Sequence, residues 1–138
     1  MNIENALFLK YKEYITKNSK FKPNVYNDTP QTISIFPIVL FLENDNTDNI
    51  LGKTTNKQEY VDSLQYKVEI YTKNMTLNKI KYPKKEITNE LKYLTFKFFR
   101  EMNFTRTSCN KGEYLETNVD RYIIIAECNI NNWNGQIR

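Results

Sequence analysis

Histidine does not occur among the 138 residues, which removes His-based triads, His general acids and His metal ligands together. Cysteine is limited to Cys109 and Cys128, too few for a four-ligand structural zinc site. The three glycines, Gly52, Gly112 and Gly135, leave no GxGxxG fingerprint and no Walker-type phosphate loop, so no nucleotide cofactor of the usual kinds is expected. No run approaches the roughly 18–20 apolar residues of a membrane helix, and no N-terminal segment has the order of a signal peptide. The expectation is a chain made and kept in the cytosol, without membrane contact and with both cysteines reduced.

What remains is a composition that folds. Hydrophobic residues make up 40% and aromatic residues 14%, enough to exclude disorder, and the length suits one domain over residues 1–138. The net charge of +4, from 20 basic and 16 acidic residues, is far below that of a dedicated DNA binder. It is unevenly placed. Residues 43–62 carry Glu43, Asp45, Asp48, Glu59 and Asp62 against Lys53 and Lys57, whereas residues 73–100 carry seven lysines and Arg100 against Glu86 and Glu90. A subunit polarised in this way can pair unlike faces between copies of itself.

From Asn2 to Asn18 the apolar residues Ile3, Leu7, Phe8, Tyr11, Tyr14 and Ile15 gather on one side at 100° per residue, predicting a helix. Pro23, Asn24, Asn27, Asp28 and Pro30 make residues 19–31 a connector. Thr32–Glu43 is a continuous β-branched and aromatic run, a strand in which Pro37 implies an edge or a bulge. Residues 44–59 form a long polar loop, the first place to look for a partner contact. Tyr60–Asn74 alternates cleanly, with Leu64, Tyr66, Val68 and Ile70 facing a core and the intervening residues facing water. The two strands are expected to pair as an antiparallel hairpin.

Pro83 suits the first turn of a second helix, along which Ile87, Leu91, Leu94, Phe98 and Met102 line one seam. Asn103 stands where a left-handed residue ends a helix. Phe104–Cys109 then starts a strand, residues 110–117 turn, and Val119–Ile130 is the last strand. The fold class is α+β, a single domain in the order α-β-β-α-β-β, with a mainly antiparallel sheet packed by two helices. With a turn at 110–117, Cys109 is expected to face Asn118, leaving Cys128 about 30 Å away, beyond disulfide reach.

The stretches IFPIVLFLEND, YKVEIYTKN, KKEITNELKYL and MNFTRTSCN, in that order, resemble the tail-terminator, or tail-to-head joining, proteins of long-tailed bacteriophages, often labelled minor capsid proteins. The resemblance covers most of residues 30–128 and rests on fold-bearing strands and a helix; a glycine often stands in such proteins where this chain has Asn103. It implies a structural subunit, without catalysis or cofactor, that assembles as a homo-hexameric ring. The ring would cap the tail tube, end its growth and receive a head connector or collar protein. Its place would be a virion or headless tail-like particle assembled in the host cytoplasm. DNA passes through such a ring without being bound specifically.

Two alternatives are open on the residues themselves. Gln65-Tyr66-Lys67 has the shape of the (E/Q)xK triplet of small Mg²⁺-dependent nucleases, with Asp48 or Asp62 as the carboxylate. Aromatic residues interleaved with Lys and Arg from Lys92 to Arg106 resemble a stacking platform for single-stranded nucleic acid. Glu43, Asp45 and Asp48 lack the spacing and central glycine of an EF-hand. For assembly, the candidate contacts are Asp45, Asp48, Lys53 and Lys57 in the polar loop, together with Phe96 and Phe99. Taking Ile87 as zero, these two rings lie about 180° and about 120° around the second helix, away from its seam.

Overall fold

The computed structural model describes residues 3–30, 35–43, 63–112 and 118–129. Helix α1 (Ile3–Asn18) leads through a short strand β1 (Asn24–Tyr26) into β2 (Ile38–Glu43) and β3 (Ser63–Thr72). A small hairpin, β4 (Met75–Leu77) and β5 (Ile80–Tyr82), precedes helix α2 (Lys84–Glu101), and β6 (Thr105–Gly112) and β7 (Asp120–Asn129) follow. The main sheet has the order β1-β2-β3-β7-β6. All its pairings are antiparallel except that of β1 with β2. Both helices pack on one face, giving the α+β domain expected, with β1 and the β4–β5 hairpin added.

Proline sets the start of β2. Of the strand expected over Thr32–Glu43, the described part runs from Ile38, directly after Pro37, because a residue without an N–H cannot donate to a ladder; residues 32–34 lie outside the described residues. Pro37 keeps only its carbonyl in use, accepting the Asn24 N–H at 3.0 Å. Through β1, β2 becomes an interior strand rather than an edge. The hairpin of β2 with β3 is antiparallel, Ile38 opposite Tyr71 and Glu43 opposite Tyr66.

The core between sheet and helices is an aromatic lattice. Tyr11 of α1 stacks on Phe41 of β2 at 4.8 Å between ring centroids, and Phe41 stacks in turn on Tyr66 at 5.1 Å. Phe99 joins Phe41 at 6.0 Å and Phe104 at 5.3 Å. Aromatic pairs at these separations add about 0.5–1.5 kcal/mol each beyond their buried area. Two hydroxyl pairs pin the helices within this core. Thr95 Oγ1 lies 2.9 Å from the Tyr11 hydroxyl and donates to the Leu91 carbonyl, and Thr88 Oγ1 lies 2.6 Å from Thr72 Oγ1.

Those threonines displace the helix seam. The buried residues of α2 are Ile87, Thr88, Leu91, Leu94, Thr95, Phe98 and Phe99, a stripe centred about 50° from Ile87 rather than on it. Phe99 falls inside that stripe and is 2% exposed. The helix starts at Lys84, with Pro83 as its extended N-cap (φ −70°, ψ 151°) and the Asn74 Oδ1 accepting the Lys84 N–H at 2.8 Å. It ends as the sequence predicts. Asn103 takes φ 64°, its N–H bonds the Arg100 carbonyl at 3.1 Å, and the Phe104 N–H bonds the Phe99 carbonyl at 2.7 Å. This is a Schellman cap, closed by the Phe99–Phe104 ring contact.

The β4–β5 hairpin turns on Asn78 and Lys79, both with positive φ (52° and 68°). Two consecutive left-handed residues are the mark of a type I′ turn, where glycine is favoured second. Lys79→Gly is therefore expected to raise stability by about 0.5–1 kcal/mol. It should be read as a higher denaturation midpoint at unchanged m-value; an unchanged or lower midpoint would show that the lysine stabilises the turn in another way.

In the last hairpin β6 runs on to Gly112, which pairs with Arg121, so Cys109 faces Ile124 and not Asn118. The glycine that suggested a turn extends the ladder instead. Cys128 lies four positions past Ile124, about 13 Å along the strand rather than about 30 Å, and neither cysteine forms a disulfide.

Candidate assembly surface

Segments 3–22 and 73–101, which build α1, the β4–β5 hairpin and α2, hold thirteen of the 20 basic residues and five of the 16 acidic ones. The remainder of the chain holds seven basic and eleven acidic residues. The hairpin belongs with the helices, because Met75, Leu77 and Tyr82 pack against the same core and Tyr82 meets Phe21 edge to face at 5.1 Å. One side of the sheet is thus strongly cationic and the rest of the chain is net anionic. No helix among the described residues is long and apolar enough to cross a membrane.

A groove of about 440 Å³ runs between α1 and α2 on the cationic side. Its floor is Tyr14, Phe98 and Met102, and Lys10, Lys17 and Lys97 stand on its walls with Glu13 and Glu101. Burial raises the Tyr14 phenol above its ordinary pKa, with the charges of Glu101 and Tyr93 adding to it, so the ring carries its proton at neutral pH. Sequence reading missed this groove. Lys10 and Lys17 are seven residues apart and share a helix face, but nothing in either helix alone shows that the other aligns Lys97 with them.

Of the contacts expected from sequence, Asp45, Asp48, Lys53 and Lys57 lie outside the described residues. Phe96 is half-buried at the edge of the core, and the Arg106 guanidinium of β6 covers its ring at 4.6 Å. Phe99 must be withdrawn as a contact, because it lies in the aromatic lattice where no other subunit can reach it.

The opposite face of the sheet is not simply wet. Ile38, Leu40, Tyr71 and Val119 form a second buried cluster, and Glu69 is 5% exposed beside it. Glu69 Oε1 accepts hydrogen bonds from the Tyr71 hydroxyl (2.7 Å) and from Arg121 Nε (3.0 Å) and Nη2 (2.7 Å), and Oε2 lies 3.4 Å from Lys67 Nζ. Burial alone would raise the carboxyl; the bonds from Tyr71 and Arg121, with the charges of Arg121 and Lys67, outweigh it and hold its pKa below the usual range. Burial, reinforced by Glu69, drives the Tyr71 phenol the other way, well above its ordinary value. Gly112 opposite Arg121 makes room for this side chain, since a Cβ there would lie 3.1 Å from Arg121 Cδ.

This network bears on the nuclease reading. Lys67 of the Gln65–Lys67 pair is tied to Glu69, and Glu69 is already neutralised by a guanidinium. Among the described residues no three His, Cys, Asp or Glu side chains converge to hold a metal ion; Asp48 and Asp62 lie outside them. The proposed stacking platform loses its rings in a similar way. Phe98, Phe99 and Phe104 are core, Phe96 lies under Arg106, and Lys92 covers Tyr122 at 4.3 Å. Tyr93 is the exposed aromatic ring of this stretch.

Compared with known proteins, the chain matches no protein-family model and no curated sequence.

Proposed function

We propose that this chain is a structural subunit of a phage-type tail, forming a closed, six-fold ring that caps the tail tube and joins it to a head connector or collar. The observation that carries the reading is the separation of charge between the helix side and the rest of the chain. A cyclic ring is built from heterologous contacts, in which one patch of each subunit meets a different patch of the next. Segments of opposite net charge favour that pairing and disfavour like-to-like contacts, the acidic excess of this chain being carried largely by residues 43–62 of its sequence. The described parts of the four stretches that carry the resemblance to tail-terminator proteins fall in and beside β2, β3, α2 and β6, elements of one packed unit. In this reading the ring binds the last ring of the tube and offers no surface for another, which stops growth without any catalytic step.

Elongating tail tubes mixed with the purified chain in low salt test the function. Stalled tubes with a density at one end are expected. The effect should weaken in about 1 M salt, where charges are screened beyond roughly 3 Å. Shortening the 44–59 loop to a tight turn should preserve folding and impair capping. Tubes that lengthen unchanged in the presence of the intact chain would refute the reading.

A further inference from the structure

We propose that the outer edge of β6 takes a strand from another protein, an extended acidic segment with carboxylates at positions i and i+4. Such a contact does not require the ring. Among the described residues β6 closes one side of the main sheet, and β1, three residues long, closes the other. β6 runs for eight residues, of which Thr105, Arg106, Thr107, Asn110 and Lys111 are exposed. Paired with β7 on one side, a strand of this kind turns alternate backbone N–H and C=O groups outward, and these are the groups an added strand bonds.

Charge decides which strand fits. Arg106 and Lys111 are five residues apart, a spacing that puts side chains on opposite faces of a regular strand. The bulge between Arg106 and Ser108 corrects this, so that the two stand opposite Ala126 and Tyr122, four positions apart on β7. They therefore share the helix side, about 13 Å from each other. Arg106 covers Phe96 of α2, and Lys111 Nζ lies 3.7 Å from Asp120 Oδ1, which Lys84 Nζ of α2 also approaches at 3.7 Å. Lys92 of α2, over the Tyr122 ring, adds a further cation beside Lys111. Asp120 thus faces several cations, and the Lys111 side chain keeps 63% of its surface exposed. Carboxylates at i and i+4 of an extended strand share a face and lie about 13 Å apart, matching Arg106 and Lys111. Residue i+2 then falls opposite half-buried Cys109, which packs on the core and suits an apolar neighbour. A second copy of β6 does not qualify. Laid antiparallel along the whole edge, it sets Arg106 against Lys111 and Lys111 against Arg106, like charges that repel.

Two-dimensional NMR of the isotope-labelled chain in low salt tests this edge with a capped synthetic peptide, Thr-Glu-Thr-Val-Thr-Glu-Thr. Saturating amide shifts centred on Ser108–Gly112 are expected. The same peptide with Lys in place of Glu should bind at least about tenfold more weakly. So should the acidic peptide N-methylated throughout, which keeps its charges and loses its backbone donors. Arg106→Glu with Lys111→Glu should invert the preference between the acidic and the basic peptide while leaving thermal unfolding in place. Arg106→Gln with Lys111→Gln, a milder change that serves if the first variant does not fold, should weaken the acidic peptide by about threefold or more. β6 amides that do not shift, an N-methylated peptide that binds equally well, or acidic-peptide binding unchanged in the glutamine variant would each overturn the proposal, the second by revealing a charged patch without strand pairing.

Discussion

Replacing Phe99 with alanine is expected to destabilise the chain by about 3–5 kcal/mol, while Phe96→Ser costs less than about 1.5 kcal/mol. The two rings are three residues apart on α2, and a wheel centred on Ile87 treats both as outward. The structure separates them. Phe99 touches Phe41, Phe98 and Phe104 at centroid distances of 6.0, 5.8 and 5.3 Å, and its removal leaves a cavity bounded by three other rings that cannot collapse together. It would also remove the apolar contact that closes the Schellman cap, freeing the turn at Asn103 that launches β6. Phe96 has Arg106 on one side and the rim of the core on the other, so its loss removes area without opening a hole. Urea titration of both variants measures the difference, and equal losses would mean that the phase of α2 is wrong.

Arg121→Ala is expected to cost about 2–4 kcal/mol near neutral pH, because it leaves Glu69 charged and buried with Lys67 as its remaining cation. The estimate sits below that for a fully buried pair since the Arg121 side chain is 27% exposed. Glu69→Gln combined with Arg121→Met removes both charges and should recover most of the loss. The pH dependence has a definite sign. A carboxyl whose folded pKa lies below its unfolded value contributes its full stability above the unfolded value, about 4.3, and loses it as pH falls through the folded value. The Arg121→Ala penalty should therefore shrink progressively in acid, where Glu69 becomes protonated. Tyr71, raised by burial, is neutral in both states until pH nears 10; above that the unfolded chain ionises first and stability falls. A penalty for Arg121→Ala that is the same at pH 7 and at pH 3 would show that the guanidinium contributes packing rather than charge.

Much of the frame is written in local residue patterns. Tyr66, Val68 and Ile70 alternate as a strand must, and Asn103 supplies the left-handed residue a helix end needs, whereas Pro37, read as an edge or a bulge within a longer strand, directly precedes the first residue of an interior strand. The features that escaped are those in which polar residues are buried. Thr88 and Thr95 have no place in a seam traced from apolar residues alone, yet each satisfies its hydroxyl inside the core, and leaving them out rotates the seam of α2 by about half a right angle. Glu69 in an alternating strand likewise reads as exposed, and its partner Arg121 is 52 residues away. Strand β1, three residues long and paired in parallel, is too short to leave a period. The groove is legible only in part, because its cations come from two helices whose juxtaposition no single stretch encodes.

Native mass spectrometry of the purified chain from low-salt volatile buffer tests ring formation most directly. The account predicts a dominant species at six times the 16.5 kDa chain mass, which gives way to smaller species as salt is raised before spraying. A single 16.5 kDa species at every concentration, unchanged when tail tubes are supplied, would contradict it.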